Sequence, residues 1–217
     1  MNLSNFNGWR CGLPYFGPVL AAGVLLMLLN VWLGLIVLVA GVLVMLFFRD
    51  FPRRTDCAAL EVVAPADGTI THIEDLESDP YYDGPCRRVS IFLSVFSVHV
   101  NRAPFAGTIR DVRYAPGKYI DARDPECSKI NESNAILMDT KYGLVTVRQI
   151  SGAVARRIVC VAAAGDSVEK GQRIGMIRFG SRTELYLPPG TEVTVQIGQY
   201  VTGGVTVMAR FQPGAEG

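Results

Sequence analysis

Histidine is almost missing from this chain: only His72 and His99 occur among 217 residues. Two scattered imidazoles cannot furnish the ligand set of a zinc peptidase, and no metal site is expected. Cysteine is sparse as well. Cys11, Cys57, Cys86, Cys127 and Cys160 form no CxxC pair and have no histidine at ligand spacing, so they read as reduced, half-buried small apolar residues. Net charge is lacking too. Beyond residue 48 basic and acidic side chains balance at 20 each, which removes the electrostatic case for binding nucleic acid.

Charge is absent altogether between Cys11 and Phe48, where LAAGVLLMLLNVWLGLIVLVAGVLVMLFF runs unbroken. This exceeds the length of a membrane span. It also lacks the basic start, short apolar core and small-residue cleavage site of a secretory signal. As one helix the segment would be about 57 Å long, against a hydrocarbon core of about 30 Å. A break near Asn30, beside Trp32 and Gly34, predicts two short helices in a hairpin or re-entrant anchor. A single tilted helix with an interfacial lead-in at Pro14 to Pro18 is the other arrangement considered. Arg49, Arg53 and Arg54 outnumber Arg10, so the positive-inside tendency places the rest of the chain in the cytoplasm. The expected division is an anchor at 1–50 and a second domain at 51–217.

After RDFPRRTD the pattern alternates. Segments 88–100, 107–115, 134–150, 156–164 and 191–198 are rich in Val, Ile and Thr and bounded by Gly, Pro, Asp or Asn. They predict a mainly β domain, with a loop-like region over 116–132. Two echoes recur: APADGTI (64–70) as APFAGTI (103–109), and GDSVEKGQRIG (165–175) loosely as GQYVTGGVTVM (198–208). Each reads as a strand-turn-strand unit with glycines at positive φ, and two copies predict a pseudo-symmetric pair of sheets over one core. APxxGTI followed by GDxVxxGQxI resembles the biotinyl and lipoyl hammerhead domains, which implies a barrel-sandwich hybrid. The carrier lysine of those domains is missing, so the resemblance extends to fold alone.

Three places combine reactive residues with unusual context. Asp67 in VVAPADGTI, taken alone, reads as an Asx-turn residue. His99 in FLSVFSVHVNRAP, taken alone, reads as a structural histidine ending an apolar strand, beside Asn101 and Arg102; His72 reads as a surface residue. Gly180-Ser181 in RFGSRTEL, taken alone, is ordinary turn chemistry.

In order along the chain, FFRDFPR, APADG, IFLSVFSVHVNRAPFAGTI, NESN, QISGAVARRIV, GDSVEKGQRIGMIRFGSRTELYLP and VTGGVTVMA resemble the phosphatidylserine decarboxylases, in the short membrane-anchored bacterial and archaeal form. SVHVNRAP with RFGSR is the most specific part. The resemblance implies a proenzyme that cuts itself at Gly180-Ser181. The Ser181 hydroxyl attacks the Gly180 carbonyl, the ester eliminates, and the resulting dehydroalanine hydrolyses to a pyruvoyl group with loss of ammonia. The products are a β chain of 1–180 and an α chain of 181–217, expected to stay together as a heterodimer, with a higher oligomer left open. The residue types suit this, since the cofactor needs an unbranched hydroxyl side chain with an α-proton and glycine offers an unhindered carbonyl.

The same resemblance implies a lyase of phospholipid biosynthesis at the cytoplasmic membrane. Phosphatidylserine forms a Schiff base with the pyruvoyl group, loses carbon dioxide and leaves as phosphatidylethanolamine. His99 is the expected proton donor, His99 with Asp67 the expected base and orienting pair for self-cleavage, and Asn101 and Arg102 the expected substrate-binding residues. Longer members of the family carry a second histidine three positions after the first, where this chain has Arg102, which cannot serve as a base near neutral pH. Either His99 serves both maturation and decarboxylation, or another base serves maturation. Two further readings are a membrane-anchored hammerhead adaptor of an efflux or secretion system, which needs a long coiled-coil hairpin that the sequence lacks, and a decarboxylase of archaetidylserine.

Overall fold

A computed structural model describes residues 3–153, 157–178 and 181–212. Two apolar helices, α1 (Gly8–Met27) and α2 (Val31–Phe47), precede fourteen short strands. The break falls where the sequence placed it. Asn30 is extended and its Oδ1 accepts the Trp32 and Leu33 amides at 3.0 and 3.1 Å, capping α2. Pro14 and Pro18 lie inside α1, not in a separate lead-in. Each removes one helical N–H. By length and composition α1 is long and apolar enough to cross a membrane, and α2 is apolar but shorter.

The helices pack back to back because glycines face the partner. A Cβ on Gly34 would lie 2.2 Å from Met27 Cγ and 2.8 Å from the Gly23 carbonyl, and one on Gly41 would lie 2.7 Å from Leu20. The opposite faces stay exposed, including Leu28, Leu29 and Trp32 around the tip of the hairpin.

Asp50, just past the hairpin and 4% exposed, joins it to the strands. Its carboxylate accepts the Gly8 amide of α1 at 3.0 Å and bonds Arg173 Nε at 2.8–3.0 Å and Arg102 Nη2 at 3.4 Å. The Asp50 carbonyl accepts the Trp9 indole at 3.2 Å.

The strands are β1 (Glu61–Val63), β2 (Gly68–Leu76), β3 (Cys86–Leu93), β4 (Val100–Arg102), β5 (Gly107–Ala115), β6 (Ser133–Thr140), β7 (Gly143–Ile150), β8 (Ile158–Cys160), β9 (Ser167–Val168), β10 (Arg173–Ile177), β11 (Ser181–Leu187), β12 (Glu192–Val193), β13 (Tyr200–Val201) and β14 (Val207–Arg210). One antiparallel sheet runs β13-β2-β3-β11-β7-β6-β5-β9, and two three-stranded sheets run β4-β10-β8 and β1-β14-β12. The fold is mainly β, as expected. The region 116–132 is not wholly irregular: it holds a single helical turn, α3 (Cys127–Ile130), and a bridge from Lys118 to Asn131.

The sequence echoes occupy equivalent places at opposite edges of the large sheet. Gly68 pairs with Val201 and Thr69 with Tyr200 at one edge; Gly107 pairs with Val168 and Thr108 with Ser167 at the other. A register shift follows in each copy, at Ile70/His72 and at Ile109/Asp111. The shift in β2 leaves His72 half-buried instead of on the surface. The turn glycines correspond as well, Gly165 and Gly171 with Gly198 and Gly204, at φ between +73° and +90°. This symmetry is consistent with the hammerhead resemblance.

Ile70, Ile91, Ile136, Val147 and Leu185 lie in the interior of this β part. All seven residues of β11 are buried. Alternation along a strand puts Ser181, Thr183, Leu185 and Leu187 on one face and Arg182, Glu184 and Tyr186 on the other. That second face is covered by Tyr81, Tyr82 and α3, and the Glu184 carboxylate on it is satisfied internally. Glu184 accepts from Ser128 Oγ at 2.6 Å, Tyr186 Oη at 2.7 Å and Arg148 at 3.2 Å, while the Arg148 guanidinium lies 3.8 Å from the centre of the Tyr81 ring. Removing one partner of a buried ion pair strands the other, at a cost of about 3–5 kcal/mol. Glu184→Ala is therefore expected to lose about that much in urea unfolding of the detergent-solubilised protein, and Glu184→Gln, which keeps hydrogen-bond acceptors, to lose less.

Candidate active site

Ser181 is the first residue of β11, a strand paired on both sides, with β3 and with β7. The residue is fully buried, and among the described residues its hydroxyl has no hydrogen-bond partner. Buried polar groups are almost always paired, so an orphaned hydroxyl in a central strand needs a functional explanation. Gly180, the other half of the expected scissile bond, lies outside the described residues.

His99 belongs to the same end of the sheet. Ser181 sits opposite Leu93, the last residue of β3, and the chain then turns at Ser94–Ser97, closed by a 2.9 Å bond from the Ser97 amide to the Ser94 carbonyl. It reaches His99, whose carbonyl accepts the Ile177 amide at 3.2 Å. The segments that end in His99 and lead to Ser181 are thus tied together at both ends. The imidazole is fully buried against Phe47 of α2, with ring centroids 4.3 Å apart, and among the described residues neither ring nitrogen has a well-aligned hydrogen-bond partner, though the Ser97 backbone is near enough to polarise the ring. Burial pushes its pKa down to about 3; the polar backbone of Ser97 offsets only part of this, and the Arg49 cation adds to the depression.

A row of amides and a hydroxyl ties this end together. Asn134 Nδ2 donates to Gln149 Oε1 at 3.2 Å, Gln149 Nε2 to Asn101 Oδ1 at 2.9 Å, and Asn101 Nδ2 to Thr183 Oγ1 at 3.0 Å. This links β6, β7, β4 and β11. Asn134, Gln149 and Thr183 were missed in the sequence; only their polarity at inward-facing strand positions could have singled them out. Asn101 uses both ends of its amide here.

The other expected site residues face elsewhere. The Asp67 carboxylate receives both Arg53 Nη atoms, at 2.5 and 2.8 Å, and the Gly203 amide at 2.8 Å, which replaces the Asx-turn reading. Among the described residues no hydrogen bond or ion pair joins it to His99. Arg102, one residue on from Asn101, points to the opposite side of β4. It donates to the Gly171 and Phe51 carbonyls at 2.9 and 3.1 Å and to Asp50. Burial, reinforced by the neighbouring Arg173 cation and opposed by Asp50, lowers its pKa to about 10, so it remains charged at neutral pH.

The family described as Phosphatidylserine decarboxylase matches residues 41–209. The chain belongs to this family. A phosphatidylserine decarboxylase proenzyme of Carboxydothermus hydrogenoformans is 46% identical over 91% of this chain and 94% of its own. Those of Magnetococcus marinus and Nitrosomonas eutropha are 43% and 42% identical, over 83% and 94% of this chain and 85% and 94% of theirs.

The pKa of His99 yields a pH prediction. Because it is depressed, the imidazole is neutral throughout pH 5–8, and the rate of proenzyme cleavage is expected to show no step near 6.5, the ordinary histidine value. The unfolded chain binds the proton more readily, so His99's contribution to stability is complete above about pH 6.5 and declines as the pH falls towards 3. Time courses of cleavage on denaturing gels across pH 5–8 test the first expectation; a midpoint near 6.5 would contradict it.

Proposed function

We propose that this chain cleaves itself at Gly180-Ser181 and, as the resulting β chain (1–180) and α chain (181–217), decarboxylates phosphatidylserine to phosphatidylethanolamine and carbon dioxide. The observation that carries the reading is the buried Ser181 hydroxyl, unpartnered among the described residues, at the same end of the sheet as the buried, neutral His99 in a member of this family. A serine hydroxyl is a weak nucleophile until a base takes its proton. We assign that role to neutral His99. The Ser181 oxygen attacks the Gly180 carbonyl carbon, the amide bond breaks and an ester forms. Loss of the Ser181 α-proton breaks the Cβ–O bond and expels Gly180 as a carboxylate, and water then displaces ammonia.

In the matured protein the pyruvoyl group supplies an electron sink for the pair left when carbon dioxide departs. His99 returns one proton to the carbon that carried the carboxylate. An anionic head group close to the imidazole favours its protonated form, which reverses the depression found without substrate. Asn101 holds β4 against β11, and Arg102 holds it against Asp50 and Gly171, so both act on the substrate through placement of His99. Asp67 positions the turn at Gly203 through Arg53 in the same indirect way.

The two chains remain one body after cleavage. β11 lies between β3 and β7, β13 on β2 and β14 on β1, so the α chain cannot leave without breaking four strand pairings. The hairpin serves as the membrane anchor, with the β part on the cytoplasmic face, because Arg10 and Arg49 both lie at its base and its tip is apolar. Among the described residues the three α-helices include no coiled-coil hairpin inserted between the strands, so nothing favours the adaptor reading.

Mass spectrometry of the purified protein tests this. The expected result is a fragment ending at Gly180 and another beginning with a pyruvoyl-blocked residue 181, which separate only in denaturant, while Ser181→Ala stays whole and releases no carbon dioxide. An intact wild-type chain would overturn the reading.

A further inference from the structure

A groove of about 620 Å³ lies between the last turn of α2 and the Ser94–Ser97 turn, lined by Leu43, Leu46, Phe47, Arg49, Val95 and Phe96. Its size is within the range of small-molecule sites, about 300–1,000 Å³. The tight turn holds two apolar side chains out, Val95 at 50% and Phe96 at 84% exposure, beside the exposed Leu43 and Leu46 of α2. The patch therefore continues the apolar surface of the hairpin onto the β part. No carboxylate lines it, and its one charge is Arg49. That guanidinium is fixed between both walls, donating through Nη1 to the Leu46 carbonyl at 2.9 Å and through Nη2 to the Phe96 carbonyl. Two of its five N–H groups are used, and the rest remain for an anion. At the inner end, Phe47 lines the groove on one side and packs at a tilt against His99 on the other.

We propose that this groove receives the glycerol-proximal part of one acyl chain of a phospholipid, with Arg49 taking the lipid phosphate at its rim. The inference rests on the lipid-decarboxylase reading and adds the residues that bring the head group to the site. An apolar groove with one planar cation at its edge matches the two chemistries that a phospholipid joins at its glycerol. Continuity with the hairpin surface selects a membrane lipid over a soluble phosphate or a peptide. With Phe47 between groove and His99, a chain in the groove leaves its head group a short path to the buried end of β11.

The test uses the full-length Ser181→Ala proenzyme, in which binding is read without turnover. A photoreactive benzoylphenylalanine at position 96, in vesicles of phosphatidylserine and phosphatidylcholine, is expected to give adducts on the acyl chain, located by mass spectrometry. The same probe at Leu35, on the exposed face of α2, reports general contact with lipid. Adducts at 35 without any at 96 would overturn the proposal. In the self-cleaving protein, Phe96→Ser is expected to raise KM several-fold for long-chain phosphatidylserine in vesicles and to leave glycerophosphoserine, which has no acyl chain, unaffected. Arg49→Gln should raise KM for both substrates, with part of the loss restored by Arg49→Lys. An unchanged KM in Phe96→Ser or Arg49→Gln contradicts the groove. Failure of the wild type to release carbon dioxide from either substrate would remove the enzymatic reading instead, and the adducts at 96 would then decide the groove alone.

Discussion

The Asp50 carboxylate is the contact on which the arrangement depends. One buried anion binds the first turn of α1, Arg173 of β10 and Arg102 of β4, so a water-averse hairpin and a water-soluble set of strands share a single ionic joint. Two cations and a helix N-terminus around it supply what a desolvated carboxylate requires. Because β4 follows directly from His99, and Phe47 of α2 covers the imidazole, the joint also sets how the hairpin closes on the reactive end of the sheet.

Much of the buried polarity around β11 is paired within the protein. The outer face of β11 pairs Glu184 with Arg148, Ser128 and Tyr186, and the amide row joins Asn134, Gln149, Asn101 and Thr183. Among the described residues the Ser181 hydroxyl and both His99 nitrogens are unpaired, as are a few other buried atoms such as Thr146 Oγ1 and Arg182 Nη2. A rigid, hydrogen-bonded frame around a few unpaired groups holds them at the cost of their lost hydration, a state suited to the proposed proton exchange between Ser181 and His99.

Much of the fold was legible in the residues. The two-helix break at Asn30 follows from helix length and capping, and the equivalent places of Gly68-Thr69 and Gly107-Thr108 at the two sheet edges follow from the echo of APADGTI in APFAGTI, because a repeated local pattern adopts the same conformation twice. The site was legible only in part. The family resemblance makes Asp67 an expected partner for His99, and no local pattern could show that its carboxylate takes the guanidinium of Arg53, fourteen residues before it. Asn101 and Arg102 looked like one substrate-binding pair, but neighbours on a strand face opposite ways, so one joined the amide row and the other the Asp50 joint.

By itself the sequence determined the apolar hairpin, the mainly β character and the prominence of Gly180-Ser181 and His99, because these rest on composition, short-range periodicity and residue chemistry. Only the tertiary structure decided that β11 lies at the centre of the large sheet, that Phe47 lies against His99, and that Arg49 bridges α2 to the Ser94–Ser97 turn. Those relations join residues tens of positions apart. Burial and electrostatics at such distances along the chain depend on which strands pair, and no local pattern encodes that pairing.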